Sequence, residues 1–552
     1  MIKVKLNDKE ISVKENTRVL DLIDKKVLHE YMVCRIGKSI KELTYKLTAK
    51  NDGMEIELYS LNHLESGKAY EATLRYVISM AFYNLYPDVN IQFSYNVSRS
   101  IFCKILNKGV KMRHIADEVL KEIDRLVDAD LPIERVTMSV KDALDIYKKL
   151  DHTDKLDILS YREDQNVHLY KCEEYYDYMY SYMLPSTGFL RKFEIRPFSP
   201  GLIIQYPRYE LHSEIPVFEE EPTYGKTLRQ AQSWGEKTDS NTIVKINHKI
   251  EQGDLVDFIQ MCEAKHTNML AELGEEIKKD IENIRLICIA GPSSSGKTTF
   301  CNRLRIELLS HGIKPVMLSM DDYYLEKPKI AKIQNRPIDE LDLENINCLD
   351  IELFNQNLFD LINGEEVTLP KYDFQLGKRV EGKTIKVPED TPIMIEGIHA
   401  LNENVTSSIP KHQKYKVYIA PQMQINIDDH SPLSTTDLRL IRRIVRDMNF
   451  RNCPPASTIS MWPSVRRGEF KWIYPNQEGA NYVFNSELSY ELCVFKKYAL
   501  PELKKIKPEE PEYIIANRLI KYLKYFKSID DESAIPCNSL IREFIGGSCF
   551  NV

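Results

Sequence analysis

Alternating apolar and polar positions near the N-terminus predict short strands. The stretches IKVKL and EIELY change side at every residue, as strands with one buried face do. Between them, RVLDLIDKK has helical spacing. Together these patterns predict a small α+β unit over residues 1–60.

Two longer segments have the period of helices. The stretch ATLRYVISMAFYNLYP has the pattern of an amphipathic helix that ends at Pro87. A second helical pattern covers roughly residues 254 to 283. Before it, residues 213–240 mix acidic residues, prolines and glycines, which is typical of a connector.

An apolar run from Leu286 to Ala290 stops abruptly at the loop GPSSSGKT, residues 291 to 298. Phe300, Leu304 and Leu308 then recur at four-residue spacing until Gly312. This order predicts a buried strand, a tight loop and a helix, which is the context that a phosphate-binding loop (P-loop) requires.

The P-loop is predicted to hold the phosphates of a nucleotide. Small residues let successive backbone N–H groups surround an anion, and the start of the following helix favours negative charge. Lys297 can reach the terminal phosphates, and the Thr298 hydroxyl can bind a magnesium ion. A plain glycine and serine turn is the alternative. The predicted nucleotide-binding residues are Gly291, Pro292, Ser293, Ser294, Ser295, Gly296, Lys297, Thr298 and Thr299.

Acidic residues follow two further strand patterns. KPVMLSM ends at Asp321 and Asp322, and PIMIEGIHAL carries Glu396. Because ligands of open parallel sheets bind at the carboxyl ends of the strands, these acids are expected to converge on the phosphates. Asp321 and Glu396 could then bind magnesium or orient an attacking hydroxyl, whereas helix capping is the alternative role. Asp322 is the weaker candidate.

An arginine stripe lies further along, in DLRLIRRIVRDMNFR. Arg439, Arg442, Arg443 and Arg446 are spaced by three and four residues, which places them on one face of a helix. Such a stripe is usually a solvated surface. Phosphoryl transfer, however, needs cations over the transferring group, and these arginines could supply them.

Composition limits the class of protein. The 552 residues suggest roughly three or four domains. A net charge of -7 does not favour nucleic acid or membrane binding. The eleven cysteines form no C-x-x-C pair, and the N-terminus has no signal-peptide pattern. We therefore expect reduced thiols and a cytoplasmic protein.

Residues 285 to about 510 resemble the uridine kinase and phosphoribulokinase family of P-loop kinases. The resemblance depends on the order and spacing of five motifs: GPSSSGKTT, SMDDYY, LPKYDFQLGKR, IMIEGIHAL and DLRLIRRIVRD. It implies an α/β domain with a mostly parallel sheet, an Arg-rich lid, and ATP and Mg²⁺ as cofactors.

The resemblance also implies roles for individual residues. Asp321 would be the catalytic base and a metal ligand, with Glu396 and Thr298 as further metal ligands. Lys297 and the lid arginines Arg439 and Arg446 would contact phosphate.

On the acceptor side, the resemblance implies that Tyr372 and Arg379 bind substrate. Asp342 would hold the ribose hydroxyls, although Glu344 fits almost as well. The histidine that uridine kinases have after YDF is absent, because Gly377 and Lys378 occupy that segment. The identity of the base therefore stays open.

The front half resembles modules of a different class. Residues 1–60 resemble a TGS domain of β-grasp fold, and the next segment resembles the second additional domain of threonyl-tRNA synthetase, through LYPD and LPSTGFLRKFEIRP. The H-x-x-x-H ligands of synthetase editing sites are missing, so a recognition or regulatory role is expected. The predicted organisation is a TGS-like domain, a synthetase-like domain, a connector with a helical linker, and a kinase domain, over residues 1–60, 61–212, 213–284 and 285–552.

The leading hypothesis is an ATP-dependent kinase that phosphorylates the 5'-hydroxyl of a uridine-like nucleoside. One alternative changes the acceptor to another nucleoside or a small alcohol. The other is an RNA-binding or regulatory protein in which ATP acts as a switch. A row of tyrosines, Tyr176, Tyr178, Tyr180 and Tyr182, could stack bases, but aromatic residues in a packed sheet explain it better. An oligomer is compatible with the sequence, and a membrane partner is not expected.

Overall fold

The computed structural model describes most of the chain. It covers residues 1–7, 9–162, 164–373, 376–388 and 390–550. Phe374 and Gln375, in the LPKYDFQLGKR motif, lie outside the described residues. Within the described part of the chain, helices that are both long enough and apolar enough to cross a membrane are absent.

The N-terminal unit is a five-stranded mixed sheet. Its strands are β1 Ile2–Leu6, β2 Lys9–Val13, β3 Tyr31–Ile36, β4 Ser39–Glu42 and β5 Glu55–Ser60. They lie in the order β2-β1-β5-β3-β4, and only β1 and β5 are parallel. The two predicted strands are confirmed. RVLDLIDKK, in contrast, forms only a 3₁₀ turn at Val19–Leu22, because the backbone is already extended at Ile23.

The following segment combines four helices with two antiparallel sheets. Its strands lie in the orders β10-β9-β8 and β11-β12-β7-β6. Helix α1 ends before Pro87, as predicted. It packs with the sheet of the N-terminal unit in one hydrophobic core. The elements are α1 Leu64–Leu85, β6 Ile91–Tyr95, β7 Ile101–Ile105, α2 Met112–Asp128, β8 Glu134–Ser139, α3 Val140–Lys149, α4 Thr153–Ser160, β9 Asn166–Cys172, β10 Tyr175–Asp177, β11 Glu194–Phe198 and β12 Gly201–Gln205.

The tyrosine row does not form one strand face. Only Tyr176 lies in a strand, because β10 ends at Asp177. All four side chains pack against hydrophobic clusters, and the rings of Tyr178 and Tyr180 meet edge to face at 4.5 Å. The structure thus gives these tyrosines a packing role.

Three helices connect this segment to the second half: α5 Pro222–Lys237, α6 Ile243–Glu251 and α7 Leu255–Lys279. Buried residues of α6 and α7, such as Ile246 and Phe258, belong to the same core as Ile287 of the following sheet. The helix predicted over roughly residues 254 to 283 is confirmed as α7, whereas residues 213–240, predicted as a connector, contain helix α5. Helices α6 and α7 are integral to the packing.

The second half is built on a five-stranded, all-parallel sheet. Its strands lie in the order β14 Val316–Ser319, β17 Ile393–Glu396, β13 Leu286–Ala290, β18 Lys414–Ala420 and β21 Tyr482–Asn485. A multidomain α/β protein with a parallel sheet, as predicted, is confirmed. The elements that precede the arginine stripe are β13 Leu286–Ala290, α8 Lys297–Ser310, β14 Val316–Ser319, α9 Lys327–Gln334, α10 Ile351–Ile362, β15 Glu366–Asp373, β16 Lys378–Lys386, β17 Ile393–Glu396, β18 Lys414–Ala420, β19 Asn426–Asp428 and β20 Ser431–Pro432.

The C-terminal elements pack on this sheet and are mostly helical. They are α11 Thr435–Arg451, which carries the arginine stripe, α12 Pro455–Gly468, β21 Tyr482–Asn485, α13 Glu491–Leu503, α14 Tyr513–Tyr525 and α15 Arg542–Ile545. Helix α11 is buried along most of its length, so it is a core helix and not a peripheral flap.

Half-buried ion pairs join the two halves of the chain. Arg518 of α14 donates to Asp437 at the start of α11, with two bonds of 3.1 Å, and to Glu65 at the start of α1 at 2.9 Å. A single guanidinium thus links the front half to the helix that carries the arginine stripe.

Candidate active site

The P-loop begins where β13 ends, and its backbone has little room. A Cβ atom on Gly291 would lie 2.0 Å from the carbonyl oxygen of Ile419 in β18, so only glycine fits there. Ser294 and Gly296 have left-handed backbone, with φ of 60° and 89°. These turns let the loop fold back before α8 begins at Lys297.

The loop offers an anion site at the start of α8. The first N–H groups of a helix have no partner within it, and they attract negative charge together with the helix dipole. The Lys297 ammonium lies over the loop and donates to the carbonyl oxygens of Gly291 at 3.0 Å and Pro292 at 3.4 Å. These groups fit the phosphates of a nucleotide.

Three arginines of the stripe hold the loop from the side of α11. Arg439 donates to the Ser293 carbonyl oxygen at 2.9 and 3.0 Å, and Arg443 donates to the Ser293 hydroxyl at 2.9 Å. Arg442 donates to the carbonyl oxygens of Ser294 and Ser295 at 3.3 and 3.4 Å. Because their carbonyl groups are held in this way, the serines have a fixed backbone orientation.

Buried carboxylates neutralise two of these arginines. Arg439 pairs with Glu469, and Arg442 pairs with Glu491 through bonds of 2.7 and 2.9 Å. Arg439 is thus engaged with Glu469 and the loop instead of reaching into an open cleft. The stripe is not a solvated surface, because Arg439 and Arg442 are buried.

The predicted acids meet at Ser319, which the sequence analysis did not single out. Ser319 and Glu396 are paired at the ends of β14 and β17, and the Ser319 hydroxyl donates to Glu396 Oε1 at 3.0 Å. The same hydroxyl accepts from the backbone N–H of Asp321 at 3.3 Å. In the register of the sheet, Glu396 also pairs with Ile289 of β13, beside the P-loop.

The electrostatics of these acids resemble those of an active site. Burial raises the pKa of Glu396 to about 7, and the nearby Asp321 carboxylate adds to this effect, while Lys297 opposes it. Asp321 is exposed to the cleft, but nearby protein atoms desolvate its carboxylate and raise its pKa, and the Lys297 charge lowers it. Such perturbed carboxylates concentrate where protons or metal ions are exchanged.

Arg446 is the predicted lid arginine that faces the acids. Its side chain is half-buried, and its charge acts on Asp321. Burial lowers the pKa of Arg446 to about 10, helped by the neighbouring Arg451. It therefore stays charged at neutral pH, with its guanidinium 3.4 Å from Asp447 Oδ1.

The acceptor side is formed by the β15–β16 hairpin and the loop after β14. The backbone N–H of Tyr372 donates to Asp322 Oδ1 at 3.1 Å, which ties the hairpin to the acid motif. The rings of Tyr324 and Tyr372 lie 6.0 Å apart, edge to face. Arg379 forms an ion pair with Asp350 at 3.0 Å. Asp322 is thus a positioning residue.

Of the two candidates for the ribose, Glu344 lies nearer the centre of the site. Burial raises the pKa of its carboxylate to about 7, and the charges of Lys297 and Asp321 also act on this group. The Asp342 side chain instead accepts from the backbone N–H of Glu344 at 3.3 Å, and its own N–H donates to Gln334. Asp342 shapes the loop that presents Glu344.

The donor set suits a magnesium ion that is shared with phosphates. Thr298 lies in the first turn of α8 next to Lys297, whose charge acts on both Asp321 and Glu396. Among the described residues, no group of three or more histidine, cysteine or acidic side chains is arranged to hold a metal ion. One or two carboxylates combined with phosphate oxygens are the usual ligands of Mg²⁺ at such sites.

One contact at the P-loop was missed from the sequence. The Glu543 carboxylate of α15 accepts a hydrogen bond from the backbone N–H of Thr299 at 3.0 Å. The sequence stretch SLIREFIGGS carries this residue, but its pattern gives no sign that it reaches residue 299, because the contact joins positions 244 residues apart.

Comparisons with known proteins assign part of this chain to a family. The profile described as Phosphoribulokinase / Uridine kinase family matches residues 286–489. A uridine kinase of Ureaplasma parvum serovar 3 is 30% identical over 197 residues, which cover 36% of this chain and 85% of that relative. The chain belongs to the phosphoribulokinase/uridine kinase family.

Other known proteins are similar to parts of this chain. A uridine kinase of Staphylococcus aureus (strain JH9) is 32% identical over 182 residues, covering 33% of this chain and 77% of that protein. Among solved structures, a Bacillus stearothermophilus protein described as a possible uridine kinase has 19% identity and a TM-score of 0.27, covering 40% of this chain and 98% of its own. The D-glycerate 3-kinase of Cryptococcus neoformans var. grubii serotype A has 16% identity and a TM-score of 0.20, covering 49% of this chain and 87% of its own.

Membership of the phosphoribulokinase/uridine kinase family makes the chain an ATP-dependent phosphotransferase. The family match begins at residue 286. The resemblance of the front half to TGS and synthetase modules, and a role in RNA binding, therefore stay predictions.

Proposed function

We propose that this chain transfers the γ-phosphate of ATP to the 5'-hydroxyl of a nucleoside, with uridine as the first candidate. The observation that carries the proposal is the junction at Ser319, which joins Asp321 and Glu396 beside the P-loop. The relatives named uridine kinase support the choice of acceptor.

In the proposed reaction, Asp321 accepts the proton of the acceptor hydroxyl. The hydroxyl oxygen forms a bond to the γ-phosphorus, the bond from that phosphorus to the β–γ bridging oxygen breaks, and ADP leaves. A raised pKa makes Asp321 a stronger base than an ordinary aspartate, and the ionised form is the one that acts.

Cations of the chain would balance the charge on the transferring group. Lys297 lies over the P-loop, and Arg446 approaches from α11. A magnesium ion held by Thr298, Asp321 and Glu396 would neutralise phosphate oxygens when bound. The orientation of the loop itself would come from Arg439 and Arg442.

The acceptor would lie between the hairpin and the acid motif. Tyr372 and Tyr324 offer aromatic surface for a base, while Glu344 is placed to bind the ribose hydroxyls. Asp342 and Arg379 would contribute indirectly. Asp342 would hold the loop that carries Glu344, and Arg379 would hold Asp350.

A panel of nucleosides and small alcohols, assayed for ATP-dependent product formation, tests the acceptor. We expect a pyrimidine nucleoside to have the highest kcat/KM, and 5'-deoxyuridine to be inert. A flat profile across the panel would contradict a nucleoside acceptor. Preference for a non-nucleoside alcohol would assign the chain to a different substrate within the same reaction class.

The variant Asp321→Asn tests the base. We expect kcat to fall about 10²- to 10⁴-fold, with ATP affinity within a few-fold of the wild type, since general base catalysis contributes on that scale. Asp257→Asn, at an exposed position of α7, is the matched control and should retain full activity. Full phosphoryl transfer by Asp321→Asn would remove Asp321 from the mechanism.

A further inference from the structure

The C-terminal residues 537–549, here called the tail loop, cover the start of the P-loop helix. A Cβ atom on Gly296 would lie 2.4 Å from Leu540, so the tail loop contacts the P-loop directly. Asn449 of α11 donates to the Phe544 carbonyl oxygen at 3.0 Å. Arg542 donates to the Ile535 carbonyl oxygen at 2.9 Å and pairs with Glu532 at 3.0 Å. The tail loop is therefore ordered by specific contacts.

Within this loop, Glu543 places an anion on the anion site of the protein. Its carboxylate is buried and accepts from the Thr299 N–H at 3.0 Å, in the first turn of α8. The N–H groups of that turn are those that a nucleotide phosphate would use. Because two anions repel each other, a phosphate that approaches this turn has to displace Glu543 or bind more weakly.

Cys537 and Cys549 lie at the two ends of the tail loop and are in contact through their backbones. The backbone N–H of Cys549 donates to the Cys537 carbonyl oxygen at 3.0 Å, and both cysteines are exposed. Desolvation by the surrounding protein raises the pKa of Cys549, and the neighbouring Cys537 thiol adds to this effect. The other nine cysteines are buried or half-buried.

We propose that Cys537 and Cys549 are a dithiol modification site, whose oxidation to a disulfide holds Glu543 on the P-loop helix and weakens ATP binding. Backbone atoms that are hydrogen-bonded across the pair bring the two residues into the range that a disulfide spans. The inference uses nucleotide binding alone, so it does not depend on the identity of the acceptor.

The chemistry requires a small-molecule disulfide as the oxidant. The thiolate of one cysteine attacks a sulfur of that disulfide, forms a mixed disulfide and releases one small thiol. The second cysteine, as its thiolate, then attacks the protein sulfur of the mixed disulfide and releases the second small thiol. Two protein thiols are oxidised in this exchange, and one small disulfide is reduced to two thiols.

The bond would act by limiting the motion of the tail loop. A disulfide removes open conformations of the loop that it closes, which favours the closed arrangement already present. In that arrangement Glu543 stays on Thr299. In the reduced protein, the contacts of Leu540, Phe544 and Arg542 still hold the tail loop, but its ends are not bonded together, so Glu543 leaves Thr299 more easily when the nucleotide binds.

The test compares reduced and oxidised full-length protein by calorimetry with Mg-ATP. Protein is treated with oxidised glutathione or with dithiothreitol, and the bonds are located by mass spectrometry of peptides. We expect a Cys537–Cys549 disulfide, an ATP dissociation constant about tenfold higher, and full recovery with dithiothreitol. An unchanged or tighter affinity, or glutathione adducts in place of the internal bond, would overturn the proposal.

Two variants separate the thiol chemistry from the carboxylate contact. Cys549→Ser should bind ATP like the reduced wild type and should not respond to the oxidant through an internal bond. Glu543→Gln keeps the size of the side chain but removes its charge, so its oxidised form should lose most of the tenfold effect. If oxidised Glu543→Gln binds ATP as weakly as the oxidised wild type, Glu543 is not the cause and the proposal is wrong.

Discussion

Arg442 and Glu491 form a buried ion pair directly behind the P-loop. Two hydrogen bonds of 2.7 and 2.9 Å join them, and the remaining guanidinium nitrogen points to the carbonyl oxygens of Ser294 and Ser295. Arg442 is also the largest fully buried side chain among the described residues. A charge that is so costly to bury is retained where it fixes the geometry of a phosphate site.

The variant Arg442→Met should therefore impair both stability and nucleotide binding. It leaves Glu491 as a buried carboxylate without its partner, which costs about 3–5 kcal/mol in the free energy of unfolding. We also expect ATP affinity to fall at least tenfold, because the Ser294 and Ser295 carbonyl groups lose their donor. Urea denaturation and calorimetry measure the two effects.

Arg125→Met is the control for this variant. Arg125 pairs with Glu122 on an exposed helix surface, where such a pair contributes about 0–1 kcal/mol. Equal losses in the two variants would show that Arg442 has no special role.

A second prediction concerns the space around Gly291. The variant Gly291→Ala places a methyl group 2.0 Å from the backbone oxygen of Ile419, so β18 or the loop has to move. We expect a loss of about 1–3 kcal/mol in the free energy of unfolding and little remaining ATP binding. Thermal unfolding with and without Mg-ATP measures both.

Gly67→Ala provides the contrast, because a Cβ atom at this position of α1 has no neighbour within 4 Å. There alanine should stabilise the helix by up to about 1 kcal/mol. A destabilised Gly67→Ala protein would show that the steric argument does not predict the effects of glycine substitutions in this chain.

A third prediction concerns the pH dependence of stability. The pKa of Glu344 is raised from the usual value to about 7, so the folded state holds its proton more tightly than the unfolded state. This contribution to stability is present at low pH and is lost as the pH rises from about 4.5 to about 7. Glu344→Gln should therefore be more stable than the wild type by about 1–3 kcal/mol at pH 8, and equal to it near pH 4.5.

Denaturation of Glu344→Gln at several pH values measures this difference. The exposed Glu365→Gln is the control and should follow the wild type throughout. A Glu344→Gln difference that does not change with pH would show that the carboxylate titrates normally.

The fourth prediction is proton release on binding. With a pKa of about 7, Glu396 is close to half protonated at neutral pH in the absence of ligand. A bound cation favours the ionised form, so Mg-ATP should displace up to about half a proton from this group at pH 7. Calorimetry in two buffers with different ionisation enthalpies gives the number of protons. Glu396→Gln should release fewer protons than the wild type, and an equal number in both proteins would contradict the assignment.

The sequence was sufficient for those parts of the site that depend on local pattern. The apolar run Leu286–Ala290 is β13, the strand predicted before Asp321 is β14, and the strand predicted to carry Glu396 is β17. A buried strand followed by glycine and serine has a period and a composition that can be read without knowing the rest of the fold.

The remaining parts depend on contacts between distant segments. Arg439 contacts Glu469 and Ser293. The Ser319 hydroxyl joins the Glu396 carboxylate to the backbone N–H of Asp321, and Glu543 contacts Thr299 from a segment 244 residues further along the chain. Helical spacing shows that arginines share a face, but it does not show what packs against that face. Likewise, the short RVLDLIDKK segment forms a 3₁₀ turn instead of the predicted helix. Tertiary packing determines its conformation, since Val19 is fully buried.

The bridge made by Arg518 has a consequence for anyone who wishes to isolate the catalytic half. Removing residues before 285 would strip Arg518 of Glu65 and leave its charge with Asp437 alone. It would also remove α6 and α7, and so expose the apolar residues of the second half that pack against them. Such a fragment would inherit the reaction motifs but not the scaffold that aligns them, and its failure would say nothing about the chemistry of the intact enzyme.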